Sequence, residues 1–279
     1  MRRSGRGLVV ALAVVGGCAL AGCGSGRSSV EATAPAQRYQ VDATVLDAGT
    51  GPELCAGGVM TSNPPQCSGP PVAGWDWATI DHDSVGGVQW GEFGLVGTWD
   101  GTTFTVLEPP TAPSPSGSSG GGDDFSPPCP APEGGWPAAA TTLEQYEAFM
   151  AAAQAPSDFA AIWTDARTRP ADPGRDVYTV AYTGDLDAHR AALEAIWPGP
   201  LCVVEFPRTL RELQSIQGEL GDRAQAGDLG VYVLSSGIDE LHGRVAVDVL
   251  VADPAIVSEI DARYGAGVVE LRPRFRPVP

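Results

Sequence analysis

Histidine is scarce in this sequence: His82, His189 and His242 are the three among 279 residues, each in a different region. Metal and catalytic histidines need partners at set geometry, and only Asp81-His82-Asp83 groups ligand types tightly. With Gly86 it has the start of a calcium loop, but the further oxygens and the bidentate Glu that such a loop needs are missing. His189 falls among polar neighbours on a predicted helix and His242 in a predicted hairpin loop, both as surface groups. Gly117-x-Ser119-x-Gly121 has the spacing of a serine nucleophile elbow, which must join a strand to a helix. Here it lies in a run of Ser and Gly. No catalytic residue, metal or cofactor is therefore expected. Acidic side chains are abundant, and two carboxylates suffice for glycoside hydrolysis. A hydrolase with an unrecognised carboxylate-based site is thus the alternative to a non-catalytic binding module.

The N-terminus places the chain. Arg2, Arg3 and Arg6 precede an apolar run from Leu8 to Val15, and small residues lead to Leu20-Ala21-Gly22-Cys23. A cationic start, a short apolar stretch and a small-residue cleavage zone form an export signal, too short for a span of about 20 residues. Leu20-Ala21-Gly22-Cys23 resembles the lipobox of bacterial lipoproteins. That resemblance implies a diacylglyceryl group on Cys23, cleavage before it, and a palmitate-type lipid anchor at the extracytoplasmic face of the cell membrane. Cys18 lacks the Leu three residues ahead. Residues 24–38 then read as a flexible tether.

Four cysteines remain: Cys55, Cys67, Cys129 and Cys202. An even number in an exported chain reads as disulfides, with three connectivities. Cys55–Cys67 is the natural local pair, which leaves Cys129 for Cys202. No Cys-x-x-Cys occurs, so thioredoxin-like and zinc-knuckle sites have no support.

The precursor carries a net charge of −17; losing three signal arginines takes the mature chain to about −20. There is no lysine, and from Tyr39 to Asp165 the only side chain able to carry positive charge is His82. Such a surface argues against nucleic acid, anionic lipid and phosphate polymers. The charge itself names no partner; a protein or envelope ligand is the expectation.

Trp75, Trp77, Trp90 and Trp99 concentrate four of seven tryptophans in about seventy residues. They fill a core or form a binding platform; periodicity alone does not decide which side is wet.

The positioning elements follow from pattern. Residues 39–108 read as a small all-β barrel or sandwich of about five strands. Period-two alternation marks Tyr39 to Val45, and a hairpin is expected at Asp100-Gly101. Residues 109–137 are rich in Pro, Gly and Ser and read as a linker. Residues 138–279 read as an α/β domain with a mixed sheet and a ferredoxin-like unit, so that the chain as a whole is α+β. Capping boxes at Thr142-x-x-Gln145 and Thr209-x-x-Glu212 open two helices. A further helix is predicted at 157–167, strands at 177–182, 201–206, 229–234, 244–251 and 268–271, and helices at 185–197 and after Asp253-Pro254.

Within this region, Leu210-x-x-Leu213-x-x-Ile216-Gln217-x-x-Leu220, Gly237-Ile238-Asp239 and Arg244-Val245-x-Val247-x-Val249 are similar to the pro-segments of secreted bacterial serine proteases of the α-lytic and streptogrisin type. The similarity spans about forty residues and implies an α/β module that binds protein. The mature part as a whole looks like uncharacterised exported bacterial proteins.

Overall fold

The computed structural model describes residues 36–114, 124–166 and 171–279. Cys23 with its lipobox, and Gly117-x-Ser119-x-Gly121, lie outside the described residues. Strands β1 (Arg38–Asp47), β2 (Glu53–Cys55), β3 (Val72–Ala73), β4 (Asp83–Val85), β5 (Val88–Trp99) and β6 (Phe104–Val106) come first. The remainder follows as α1 (Leu143–Gln154), β7 (Phe159–Asp165), β8 (Val177–Tyr182), α2 (Leu186–Glu194) and β9 (Leu201–Glu205). Then come α3 (Leu210–Ala226), β10 (Val233–Asp239), β11 (Arg244–Val249), α4 (Pro254–Tyr264), β12 (Val269–Pro273) and β13 (Arg276–Val278). The described chain is α+β, with three mixed sheets and no closed barrel among the described residues.

The first sheet is built on β1 and β5, antiparallel from Arg38↔Thr98 to Asp47↔Gln89. Alternation along them sends Val41, Val45, Phe93 and Leu95 into one core with Leu54, Val72 and Phe104. Gln40, Asp42, Thr44, Trp90, Glu92 and Gly94 share the other face. The tight two-residue turn is at Gly86-Gly87, both at positive φ (61° and 87°), between paired Val85 and Val88. At Asp100-Gly101 the loop is four residues long instead, closed by Trp99↔Phe104. The Asp100 carboxylate accepts from the Thr102 and Thr103 N–H groups at 2.9 and 2.8 Å, which stabilises the wider loop.

The other two sheets repeat one plan. An α-helix opened by a capping box leads to an antiparallel strand pair, and a second helix crosses over to a parallel third strand. The first copy is α1-β7-β8-α2-β9 and the second is α3-β10-β11-α4-β12. In both, an Asp N-caps the crossover helix: Asp185 in the first, Asp253 ahead of Pro254 in the second. The end of each crossover helix also matches in type, Leu193-Glu194-Ala195-x-Trp197 against Ile260-Asp261-Ala262-x-Tyr264. Leu193, Trp197 and Ile260 are buried, and Tyr264 packs against the core of its own copy.

The copies differ in what covers their sheets. Every residue of β8 is buried. Tyr178, Val180 and Tyr182 face Phe149, Ala153, Leu193 and Trp197. Ala181 on the opposite face sits with Ala160, Ala161, Trp163 and Phe206, and α3 lies against neighbouring β7. In β11 only Val245, Val247 and Val249 are buried, against α3 and α4. Ala246 and Asp248 share the opposite, half-exposed face with Glu270 and Arg272 by register.

Two sequence expectations are corrected here. Residues 159–165 are a strand and not a helix. Phe159, Ile162 and Trp163 fit either period in so short a run, and the ladder to β8 (Ile162↔Val180, Asp165↔Val177) decides it. On α1, where the sequence pattern puts Leu143, Tyr146 and Met150 on one apolar face, the stripe is Tyr146, Phe149, Met150 and Ala153, while Leu143 is 71% exposed.

The stretch expected to be a linker is held at both ends. Thr111 pairs with Gly94 as an isolated bridge, and Cys129 joins Cys202 with Cα atoms 5.8 Å apart. Cys55 joins Cys67 across 5.7 Å. The C-terminus returns to the first sheet: β13 pairs with β1, and Phe275 and Leu250 lie in the first core. Residues 36–279 thus cohere as one unit. Among the described residues no helix is long and apolar enough to cross a membrane.

Candidate functional site: a groove beside strand β5

Strand β5 has β1 on one side and a discontinuous neighbour on the other. Strand β4 pairs with it as far as Asp83↔Trp90. Beyond β6, residues 107–114 form a strap along the same edge: Leu107 N–H donates to Val96 O (2.9 Å). Gly94 N–H donates to Thr111 O (2.9 Å) and Thr111 N–H to Gly94 O (3.0 Å). Peptide groups two residues apart on a strand point the same way. The N–H and C=O of Glu92 therefore point where those of Gly94 do, into the gap between Asp83 and the strap. Among the described residues no hydrogen bond from outside the ladder reaches them.

Gly94 permits the strap. A Cβ there would fall 2.8 Å from Thr111 Oγ1 and 3.1 Å from Ala112 O. Ser114 N–H adds a bond to Asp42 Oδ1 at 3.2 Å.

The gap opens into a groove of about 790 Å³. Trp75, Ile80 and Phe93 form one wall, and Leu107 with Pro109 and Pro110 the other. Its charged lining is wholly acidic: Asp76, Asp81, Glu92 and Glu108. Asp76 caps the short 3-10 turn Trp77–Thr79 by accepting from Ala78 N–H at 3.0 Å, and Glu108 pairs with Arg38. Asp81 and Glu92 are exposed and make no ion pair among the described residues.

The structure separates the four tryptophans. Trp75 stands edge-on to Trp77 (5.2 Å) and Phe93 (5.0 Å) at the groove. The indole N–H groups of Trp75 and Trp77 are buried without an acceptor. Trp99 stands edge-on to Phe275 and Tyr232, away from the groove. Trp90 sits on the opposite face of the sheet, across from Leu46. Trp75, Trp77 and Trp99 pack against the first core, and all four keep some exposure. Core filling and display therefore coincide at Trp75 and Trp77.

The histidines are engaged locally. His82 Nδ1 lies 2.8 Å from Ile80 O and its Nε2 2.9 Å from Gln89 Nε2, an arrangement that suits the neutral ring with Nδ1 protonated. His189 Nε2 bonds Asp158 at 2.8 Å while its ring lies flat on Tyr182 at 3.8 Å. His242 Nδ1 bonds Asp239 at 2.8 Å, and Asp239 also accepts from Arg244 (3.0 Å) and Arg272 (2.9 Å). Burial pushes the Asp239 carboxyl up, but the bonds from His242 and Arg244 outweigh it and hold it below the usual range. This ion-pair lattice continues to Glu270 and ties β10, β11 and β12 together on their polar face.

A second cavity of about 380 Å³ lies on the other side of the strap. Asp42, Glu92, Asp248 and Arg274 line it. Its acids also serve the fold, since Asp42 holds Ser114 and Asp248 accepts from Ser235 Oγ at 2.6 Å.

Of the tryptophans singled out in the sequence, Trp75 lines the groove; Glu92 and the strap were not read from the sequence. The usable signal was Gly91, Gly94 and Gly97 inside one strand, because glycine there marks close approach by other groups. No family model matches the sequence, and no curated protein matches it.

Proposed function

We propose that this chain is the extracytoplasmic part of a membrane-anchored bacterial lipoprotein, a non-catalytic module that holds a protein or envelope ligand in the groove beside β5. The groove carries the reading: an aromatic wall, an acidic lining in which Asp81 makes no ion pair among the described residues, and an open pair of backbone groups occur together in one concavity. Ligand sites combine apolar walls with a few convergent polar groups in this way. The lipobox at Cys23 supports the anchor, and two cross-linked cysteine pairs suit an oxidising compartment. In this reading residues 138–273 are the scaffold, with helices against one face of each sheet as in a ferredoxin-like layout.

Two measurements test it. Cys23→Ser in the full precursor is expected to release a folded protein from the membrane fraction. Persistence of the normally processed variant at the membrane through high salt and carbonate would refute the anchor. A photo-cross-linking residue at Leu107, on the groove wall, is expected to capture a ligand in intact cells. The same residue at Leu143, exposed elsewhere, is expected to capture none. Equal capture at both positions would remove the groove as the binding site.

A further inference from the structure

We infer that the groove takes a short basic peptide segment of a partner protein. One Arg or Lys lies between Trp75 and the carboxylate of Asp81, while one residue of the same segment closes the open N–H and C=O of Glu92 with its own C=O and N–H. This rests on the groove being the ligand site.

Charge selects the cation. The charged residues along the groove are all acidic, and none is cationic. The one nearby guanidinium, Arg38, is already paired with Glu108. A basic side chain brings the missing charge, and the aromatic wall accommodates its aliphatic stem or its cationic head. An anionic sugar or phosphate ligand would meet uncompensated like charge.

Backbone geometry selects a peptide over a free small cation. At Glu92 the strand offers one donor and one acceptor side by side. Thr111 answers the same pair at Gly94 with its own N–H and C=O. One residue of a peptide has that complement, whereas a polyamine supplies donors alone. Between Asp83↔Trp90 and Gly94↔Thr111 a single edge-facing N–H and C=O pair, that of Glu92, is open. A ligand strand therefore crosses the edge of β5 and does not run along it. Few residues make contact, so binding is modest and falls as salt rises.

The processed full-length chain, titrated with fluorescein-labelled acetyl-Val-Arg-Thr-Arg-Val-amide, tests this by anisotropy. The peptide is expected to bind saturably, and its Glu-for-Arg analogue not to bind. N-methylation at each residue in turn is expected to weaken binding about tenfold at one position, where a backbone hydrogen bond is lost. Asp81→Asn, an exposed position, is expected to weaken it about two- to fivefold. A flat N-methyl scan, no effect of Asp81→Asn, or displacement by an equal concentration of spermidine would each overturn the peptide assignment. If Leu107 still captures a ligand in cells while the peptide fails to bind, the ligand class is wrong and the groove stands. If Leu107 captures nothing specific, the site itself is wrong.

Discussion

Gly94 and Thr111 exchange two backbone hydrogen bonds, 2.9 and 3.0 Å, across a contact that no side chain at position 94 could share. The strap that walls both cavities hangs on this pair. Gly94→Val places a Cβ within 3.1 Å of both Thr111 Oγ1 and Ala112 O, so the strap must lift. Losing those bonds and Thr111 Oγ1 to Gly94 O is expected to cost about 2–3 kcal/mol. Urea unfolding measures the cost, and hydrogen exchange locates it. Unchanged protection of the Thr111 amide would show that the strap does not depend on Gly94.

The cross-links differ in the loops they close. Cys55–Cys67 spans 12 residues and Cys129–Cys202 spans 73. In the chain-entropy model the longer loop contributes about 4 kcal/mol and the shorter about 3. The double variant Cys129→Ser, Cys202→Ser is expected to lose the more. Non-reducing peptide mapping checks the pairing directly; a Cys55–Cys129 or Cys55–Cys202 peptide would contradict it.

Tyr178 and Tyr182 couple the stability of the fold to alkaline pH. Burial raises both to about 12, helped by Tyr146 beside the first and Asp158 beside the second. An unfolded tyrosine ionises near 10. The folded state thus holds more protons between pH 10 and 12, and stability falls as pH rises through that window. Each tyrosine contributes up to about 2–3 kcal/mol of that loss. Absorbance titration at 295 nm is expected to show two tyrosines ionising at about 12 or only on unfolding. Complete reversible titration by pH 11 would exclude the buried environment. Tyr182→Phe also removes the bond to Ala153 O at 2.8 Å.

Local signals in the sequence survive into the structure where one element settles its own geometry. Thr142 and Thr209 cap as their Gln145 and Glu212 partners require, and Asp253-Pro254 starts α4. The alternation of Val245, Val247 and Val249 marks a strand with one buried face. What stayed hidden depends on partners far away in sequence. Phe159 to Asp165 reads as either period until β8 supplies the ladder. The repeated helix-strand-strand-helix-strand plan escaped because the copies share burial pattern more than residue identity. At the groove, Trp75 and Asp81 were visible as residue types. The open peptide group of Glu92 exists only because β4 ends early and the strap arrives late, which no single segment records.

The return of the C-terminus makes a last prediction about cooperativity. Phe275 is 1% exposed and sits in the first core, with its ring 5.1 Å from Phe104, 5.8 Å from Trp99 and 6.0 Å from Tyr39. Next to it β13 pairs with β1 from Arg38↔Val278 to Gln40↔Arg276. Leu250, at the end of β11, lies fully buried in the same core. The first sheet therefore completes its apolar interior with side chains from the second α/β copy. Phe275→Ala is expected to cost about 3–5 kcal/mol, as for a buried aromatic whose cavity cannot collapse. Because the core is shared, the loss should move one transition seen alike by tryptophan fluorescence and far-ultraviolet circular dichroism. Independent domains spanning 39–108 and 138–279 would behave otherwise: two transitions would separate, and the variant would shift the one belonging to the first sheet alone. Coincident probes with a single displaced midpoint would establish that the returning C-terminus welds the two regions into one folding unit.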